Sequence, residues 1–127
     1  MGLPSAPLRE VSAGERSAYE RDGVVCLRGI FPAQWLEFLG GAIEEAMTNP
    51  GPHAEEYEPE GGTGRFFGDL ELAGRLDSFD RFMRESPAAE IAGRLMGASR
   101  INFLYDQLLV KEPGTSARTP WHQDQPY

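Results

Sequence analysis

A single cysteine, Cys26, stands among 127 residues. No disulfide can form within the chain, and the usage fits a reducing compartment. Histidine is scarce too, with two, His53 and His122, so imidazole chemistry has few candidates. No apolar run approaches the roughly 18 residues that a membrane-spanning helix needs. The opening "MGLPSAPLREVSAGER" has neither a basic start nor an apolar core, and no secretory signal is read there. Basic residues number 12 against 20 acidic ones, a net charge of −8. Such a field repels phosphate backbones and anionic lipid heads. These scarcities argue for a cytoplasmic protein with a small-molecule partner, and against nucleic acid or membrane. They leave oligomeric state open.

What is present is ordinary for a folded chain, 40% hydrophobic and 25% charged, and its length suits one domain over residues 1–127. Residues 1–11 carry two prolines and no periodicity, and read as a loose leader. Ser12 with Glu15 three residues on is a capping-box pattern, which predicts a helix from Ala13 to Arg21, stopped at Asp22-Gly23. "VVCLR" reads as a short strand, Val24 to Arg28, with Cys26 a buried small hydrophobe. Pro32 opens a helix whose Trp35, Leu36, Leu39, Ile43, Ala46 and Met47 form one apolar stripe. "NPGP" at 49–52 ends it.

Residues 49–64 form the longest irregular stretch, either a lid or a solvated loop, with Glu55, Glu56, Glu58 and Glu60 solvated. "RFFGDLEL" is extended, and its Arg65, Phe66 and Phe67 either reach a substrate or fill the core. Ser78–Glu85 reads as a helix with Phe79, Phe82 and Met83 on one side. Pro87 opens another, with Ile91, Leu95 and Met96 inward and Gly97 closing it. Ile101–Lys111 is the clearest strand, dense enough in apolar residues for burial on both faces in places. Pro113-Gly114 turns into a further extended segment. The order is α+β, with helices first and strands gathering late.

The chemistry lies at "TPWHQDQPY". In a strand, residues i and i+2 share a face, so His122 and Asp124 project together and Gln123 points away. Imidazole and carboxylate are two of the three ligands of a facial triad that leaves iron coordination positions open. A bare His-x-Asp is a weak signal, more readily read as a surface histidine bonded to a neighbouring carboxylate. A hydrolase metal site is a further alternative, although no additional histidines or carboxylates lie close by.

The surrounding "LLVKEPGTSARTPWHQDQPY" resembles the phytanoyl-CoA dioxygenase family of iron(II)- and 2-oxoglutarate-dependent oxygenases. There a strand leads through a Lys-x-Pro-Gly turn to Trp-His-Gln-Asp, here Lys111, Pro113, Gly114 and Trp121 to Asp124. "YERDGVVCLRGIFPAQWLEFL" and "SPAAEIAGRLMG" are similar to that family's opening and to its pre-barrel helix. The resemblance spans about Tyr19 to Tyr127.

It implies a double-stranded β-helix (jelly-roll, cupin-like) core with helices packed outside it, and a barrel incomplete within this chain. It implies His122 and Asp124 as catalytic iron(II) ligands, with 2-oxoglutarate as co-substrate, and hydroxylation of a small organic molecule. The retained Asp124 favours hydroxylation over halogenation. The distal histidine and the 2-oxoglutarate-anchoring arginine of the family lie later in its barrel, so the chain corresponds to the first half of such an enzyme. The isolated chain is expected not to turn over, and the competing reading is an inactive remnant or binding module of the same fold.

Lys111 either faces an anionic co-substrate or is a surface lysine at a strand end. Gln107 and Tyr105 either line the barrel interior or pack and cap. Trp121 either buttresses the metal site or is core, and Gln123 stands behind the metal. His53 precedes the motif in a Pro/Gly-rich loop and is not expected to be a ligand.

Overall fold

The structure, a computed structural model, describes residues 2–57 and 63–123. Helix α1 runs Ala13–Asp22, one residue beyond the sequence expectation, and its ends are set locally. The Glu15 amide donates to Ser12 Oγ at 3.2 Å, and Glu15 Oε2 accepts from the Ser12 amide at 2.9 Å. These two bonds satisfy reciprocal orphan donors. Gly23 ends the helix at φ 72°, its amide donating to Tyr19 O at 2.8 Å, a conformation that lacks the Cβ penalty only in glycine.

The leader is not loose. Leu8 N donates to Ile30 O at 2.9 Å, and Trp35 Nε1 donates to Pro4 O at 2.7 Å. Arg9 forks onto both Glu15 oxygens, at 2.7 and 2.9 Å, and onto Arg28 O. A segment without periodicity can still be tied down by partners far along the chain, which periodicity does not register.

The Arg9 guanidinium, with the Ser12 amide and hydroxyl, holds the Glu15 carboxyl at about 2, below its usual 4.5. A depressed carboxyl contributes stability above its unfolded value and loses it as pH falls toward the folded one. The denaturation midpoint of the protein should therefore exceed that of Glu15→Gln by a constant margin above pH ~5. That margin should shrink between 4.5 and about 2. A margin independent of pH through that window would refute the assignment.

Residues Val24–Arg28 form no strand. Val24 is 71% exposed and Cys26 is exposed, against the expectation of a buried cysteine. A strand needs a ladder partner, and here Arg28 O is taken by the Arg9 side chain.

Helix α2 spans Ala33–Thr48, with Pro32 as its N-cap and Asn49 as its C-cap. Trp35, Ala42 and Ala46 are its buried residues. Leu36, expected on that stripe, is 61% exposed, because the face is centred on Trp35. The indole meets Phe38 and Phe82 edge-on, with centroids at 5.4 and 5.6 Å, a favoured aromatic geometry.

Strands β1 (Glu55–Glu56), β2 (Phe66–Leu70) and β3 (Gln107–Lys111) form one antiparallel sheet in the order β1-β2-β3. Phe66 pairs with Lys111, Gly68 with Leu109 and Leu70 with Gln107. Between β2 and β3 come a single 3-10 turn (Leu72–Gly74), α3 (Asp77–Glu85) and α4 (Ala88–Met96). Gly97 caps α4 at φ 65°.

The core joins Ala42, Ala46, Leu72, Leu76 and Phe79, with Ala73 and Leu108 packed against it. Phe66 and Phe67 are buried at 6% and 2%, which places this aromatic pair in the packing. The fold is thus α+β, with a small antiparallel sheet that does not close among the described residues. No helix among those residues is long and apolar enough to cross a membrane.

The expected strand over Ile101–Lys111 is shortened to its last five residues. Asp106 is the reason. Its carboxylate accepts from Leu72 N at 2.6 Å and Ala73 N at 2.7 Å, and its carbonyl from Glu71 N at 3.2 Å. It thereby caps the 3-10 turn and holds Glu71 at φ 57°, a left-handed conformation that non-glycine residues seldom take. Burial on both faces does not occur either. Gln107, Leu109 and Lys111 are exposed, while Leu108 and Val110 are half-buried.

Asp69 is a buried carboxylate, 1% exposed. Its Oδ2 accepts from Gly51 N at 3.0 Å and Arg75 Nη2 at 2.6 Å, and its Oδ1 from Leu70 N at 2.9 Å. Arg75 also donates to Asn49 O at 2.5 Å. One ion pair thus fastens the turn after α2 to the central strand.

Candidate metal centre

Side chains alternate along a strand, so β3 sends Leu108 and Val110 toward the helices and Gln107, Leu109 and Lys111 to the opposite face. Across the ladder, Phe66, Gly68 and Leu70 share that face. Tyr57 covers part of it. Its ring lies on Phe66, with centroids 4.6 Å apart, and its Cε2 would come within 3.3 Å of a Cβ at Gly68. A hydrogen bond with Glu55 pushes the Tyr57 phenol above its ordinary value. Gln107 and Lys111 therefore share a face, roughly 13 Å apart along the strand. Tyr105, 40% exposed, precedes the strand.

Beyond Lys111 the chain is clasped to the residues before β2. Glu112 N donates to Arg65 O at 2.9 Å, Arg65 N to Glu112 Oε2 at 3.1 Å, and Thr63 N to Gly114 O at 3.3 Å. Glu56 pairs with the Arg65 guanidinium and raises its proton affinity. Gly114 turns at φ 94° and Thr115 N donates to Glu112 O at 3.3 Å. Both halves of the clasp require a glycine, since a Cβ on Gly64 would stand 2.3 Å from Pro113 O.

From this clasp residues 115–123 run as an arm without regular secondary structure. Lys111 Nζ sits 4.4 Å from the Phe66 centroid and donates to Ala117 O at 3.2 Å. His122 is exposed, and its Nδ1 lies 2.8 Å from Pro120 O. A carbonyl only accepts, so Nδ1 carries the proton and the lone pair of the neutral ring is on Nε2. Metal-bound histidines show this arrangement, one nitrogen donating to a carbonyl and the other ligating. His122 therefore fits a metal-ligand role.

Trp121 is fully solvent-exposed and does not join the core. Gln123 is exposed. Asp124 lies outside the described residues, as do Glu58 and Glu60. Among the described residues no three His, Cys, Asp or Glu side chains converge on a common point. His53 stands elsewhere, with Nε2 3.9 Å from Glu71 Oε2.

Sequence reading missed Asp69, Arg75, Asp106 and Gly64. The partners of Asp106 lie 33 and 34 residues away, and no local pattern announces such pairs.

Among the described residues, an α+β frame with an open three-stranded sheet continues from β3 into the exposed arm that bears His122. The family model described as phytanoyl-CoA dioxygenase matches residues 19–127, and the chain belongs to that family. Comparison with curated proteins and with solved structures gives no significant match.

Proposed function

We propose that the protein is an iron(II)- and 2-oxoglutarate-dependent oxygenase that hydroxylates a small organic molecule. Residues 1–127 serve as a single domain that forms the N-terminal portion of such a fold, and β2 and β3 begin a double-stranded β-helix core. The observation that supports this reading most is His122, with Nδ1 committed to Pro120 O, on the arm where the matched family stretch carries His-Gln-Asp. His122 Nε2 and the Asp124 carboxylate hold the metal, which when bound supplies the oxidising chemistry with 2-oxoglutarate and dioxygen.

Gln107, Lys111 and Tyr105 offer a polar, cationic flank for the co-substrate. The exposed Leu109, on the same strand face as Gln107 and Lys111, provides apolar surface for the substrate. Asp124 as a carboxylate ligand supports hydroxylation over halogenation. The net charge of −8 disfavours a nucleic-acid partner, and the single cysteine fits a small-molecule enzyme of the cytoplasm.

Titration with cobalt(II), a spectroscopically visible stand-in for iron(II), tests the ligands. His122→Ala and Asp124→Ala should each weaken binding by more than the roughly 10- to 100-fold that loss of a hydrogen-bond partner behind a ligand costs. Wild-type affinity in His122→Ala would overturn the site. Metal binding that needs both side chains, with no succinate formed from 2-oxoglutarate, fits the expectation that the isolated chain does not turn over, and robust succinate formation would overturn that expectation.

A further inference from the structure

The arm that carries His122 leaves the sheet at Glu112, and Lys111 reaches across to it. Lys111 is the single lysine of the chain. Its ammonium is held over the Phe66 ring at 4.4 Å and donates to Ala117 O at 3.2 Å. Ala117 N in turn donates to Thr115 Oγ1 at 3.3 Å. The arm is otherwise exposed from Arg118 to Gln123. A cation over an aromatic face is electrostatically favoured, and Phe66 is itself fixed by burial and by Tyr57. The ammonium thus connects a rigid strand to the arm five residues before the histidine.

We propose that Lys111 is a positioning residue that holds the 115–123 arm so that His122 is presented for metal binding. This rests on the reading of His122 as a ligand. Without the tether the arm samples more conformations, and that entropy must be lost on ligation. The cationic donor is what matters. Arginine can both lie on the Phe66 ring and donate to Ala117 O, whereas methionine and glutamine cannot supply the cation.

Two readouts on Lys111→Met, Lys111→Gln and Lys111→Arg decide it: the rate of trypsin cleavage at the Arg118–Thr119 bond, and cobalt(II) affinity followed by its absorption spectrum. The neutral variants should be cut about fivefold faster or more, since cleavage follows the population of the released arm. They should bind cobalt about tenfold more weakly, and Lys111→Arg should restore both. Wild-type cleavage in either neutral variant, or failure of arginine to rescue, overturns the proposal.

The unaltered protein gives a separate check. With lysine ¹³C-labelled at Cε alone, the one Lys111 signal should be shifted upfield by the Phe66 ring, and an unshifted signal also overturns the tether. Unchanged cobalt binding in His122→Ala would instead overturn the metal site, and cleavage at Arg118 would still decide the tether.

Discussion

Arg75→Ala should destabilise the protein by about 3–5 kcal/mol, the cost of leaving a buried carboxylate without its cation. Asp69 is the carboxylate concerned, its side chain fully enclosed, while Arg75 is 27% exposed. The remaining donors to Asp69 are the amides of Gly51 and Leu70, which are neutral and cannot replace a guanidinium. Arg75 also holds Asn49 O at the end of α2. Its loss therefore loosens the turn that leads to β1 and to Tyr57 on the open face.

Against a total stability of roughly 5–15 kcal/mol for a domain, the loss is large. It should appear as a marked fall in the urea midpoint. Removing both partners, as Asp69→Leu with Arg75→Met, should recover only part of it, because the Gly51 and Leu70 amides are then orphaned. A loss below about 1 kcal/mol, the level of an exposed ion pair, would contradict this account of the latch.

Gly64→Ala should cost about 1–3 kcal/mol or more, the range for forcing extra atoms into a filled space. The added Cβ would stand 2.3 Å from Pro113 O, 2.7 Å from Thr115 N and 2.8 Å from Glu112 O. All three are backbone atoms, so no rotamer change relieves the clash and the clasp itself must open. Gly40, inside α2, has nothing within 4 Å of a Cβ. There the same change should stabilise by about 0.5–1 kcal/mol, since alanine is the better helix former. Thermal denaturation of the two variants gives the contrast, and a shift of the same sign in both would refute it. Because the clasp is the root of the His122 arm, Gly64→Ala should also lower cobalt affinity, linking a packing defect to the site.

The helices were legible because their signals are local. Ser12 and Glu15 cap α1, Pro32 and Asn49 bound α2, and Gly97 closes α4, each through bonds within a few residues. The strands were less so. Val24–Arg28 has the composition of a strand, yet it has no ladder partner and its Arg28 carbonyl went to the Arg9 side chain. Ile101–Asp106 has it too, yet Asp106 was drawn off to cap a distant turn. A strand exists only where a ladder partner is available, and composition does not report the partner. The candidate site divided along the same line. The motif marks His122 and Asp124, whereas the reach of Lys111 to Ala117 depends on where Phe66 lies.

By itself, then, the sequence determined the helical frame, the balance of charge and the family, all carried by neighbours in the chain or by a contiguous motif. Tertiary structure alone decided the Asp69–Arg75 latch, the Asp106 cap, the Gly64 clasp and the exposed face of β3. The Asp106 cap and the Gly64 clasp join residues far apart in sequence, the latch reaches from Asp69 and Arg75 back to Gly51 and Asn49, and only the folded chain brings these groups within contact.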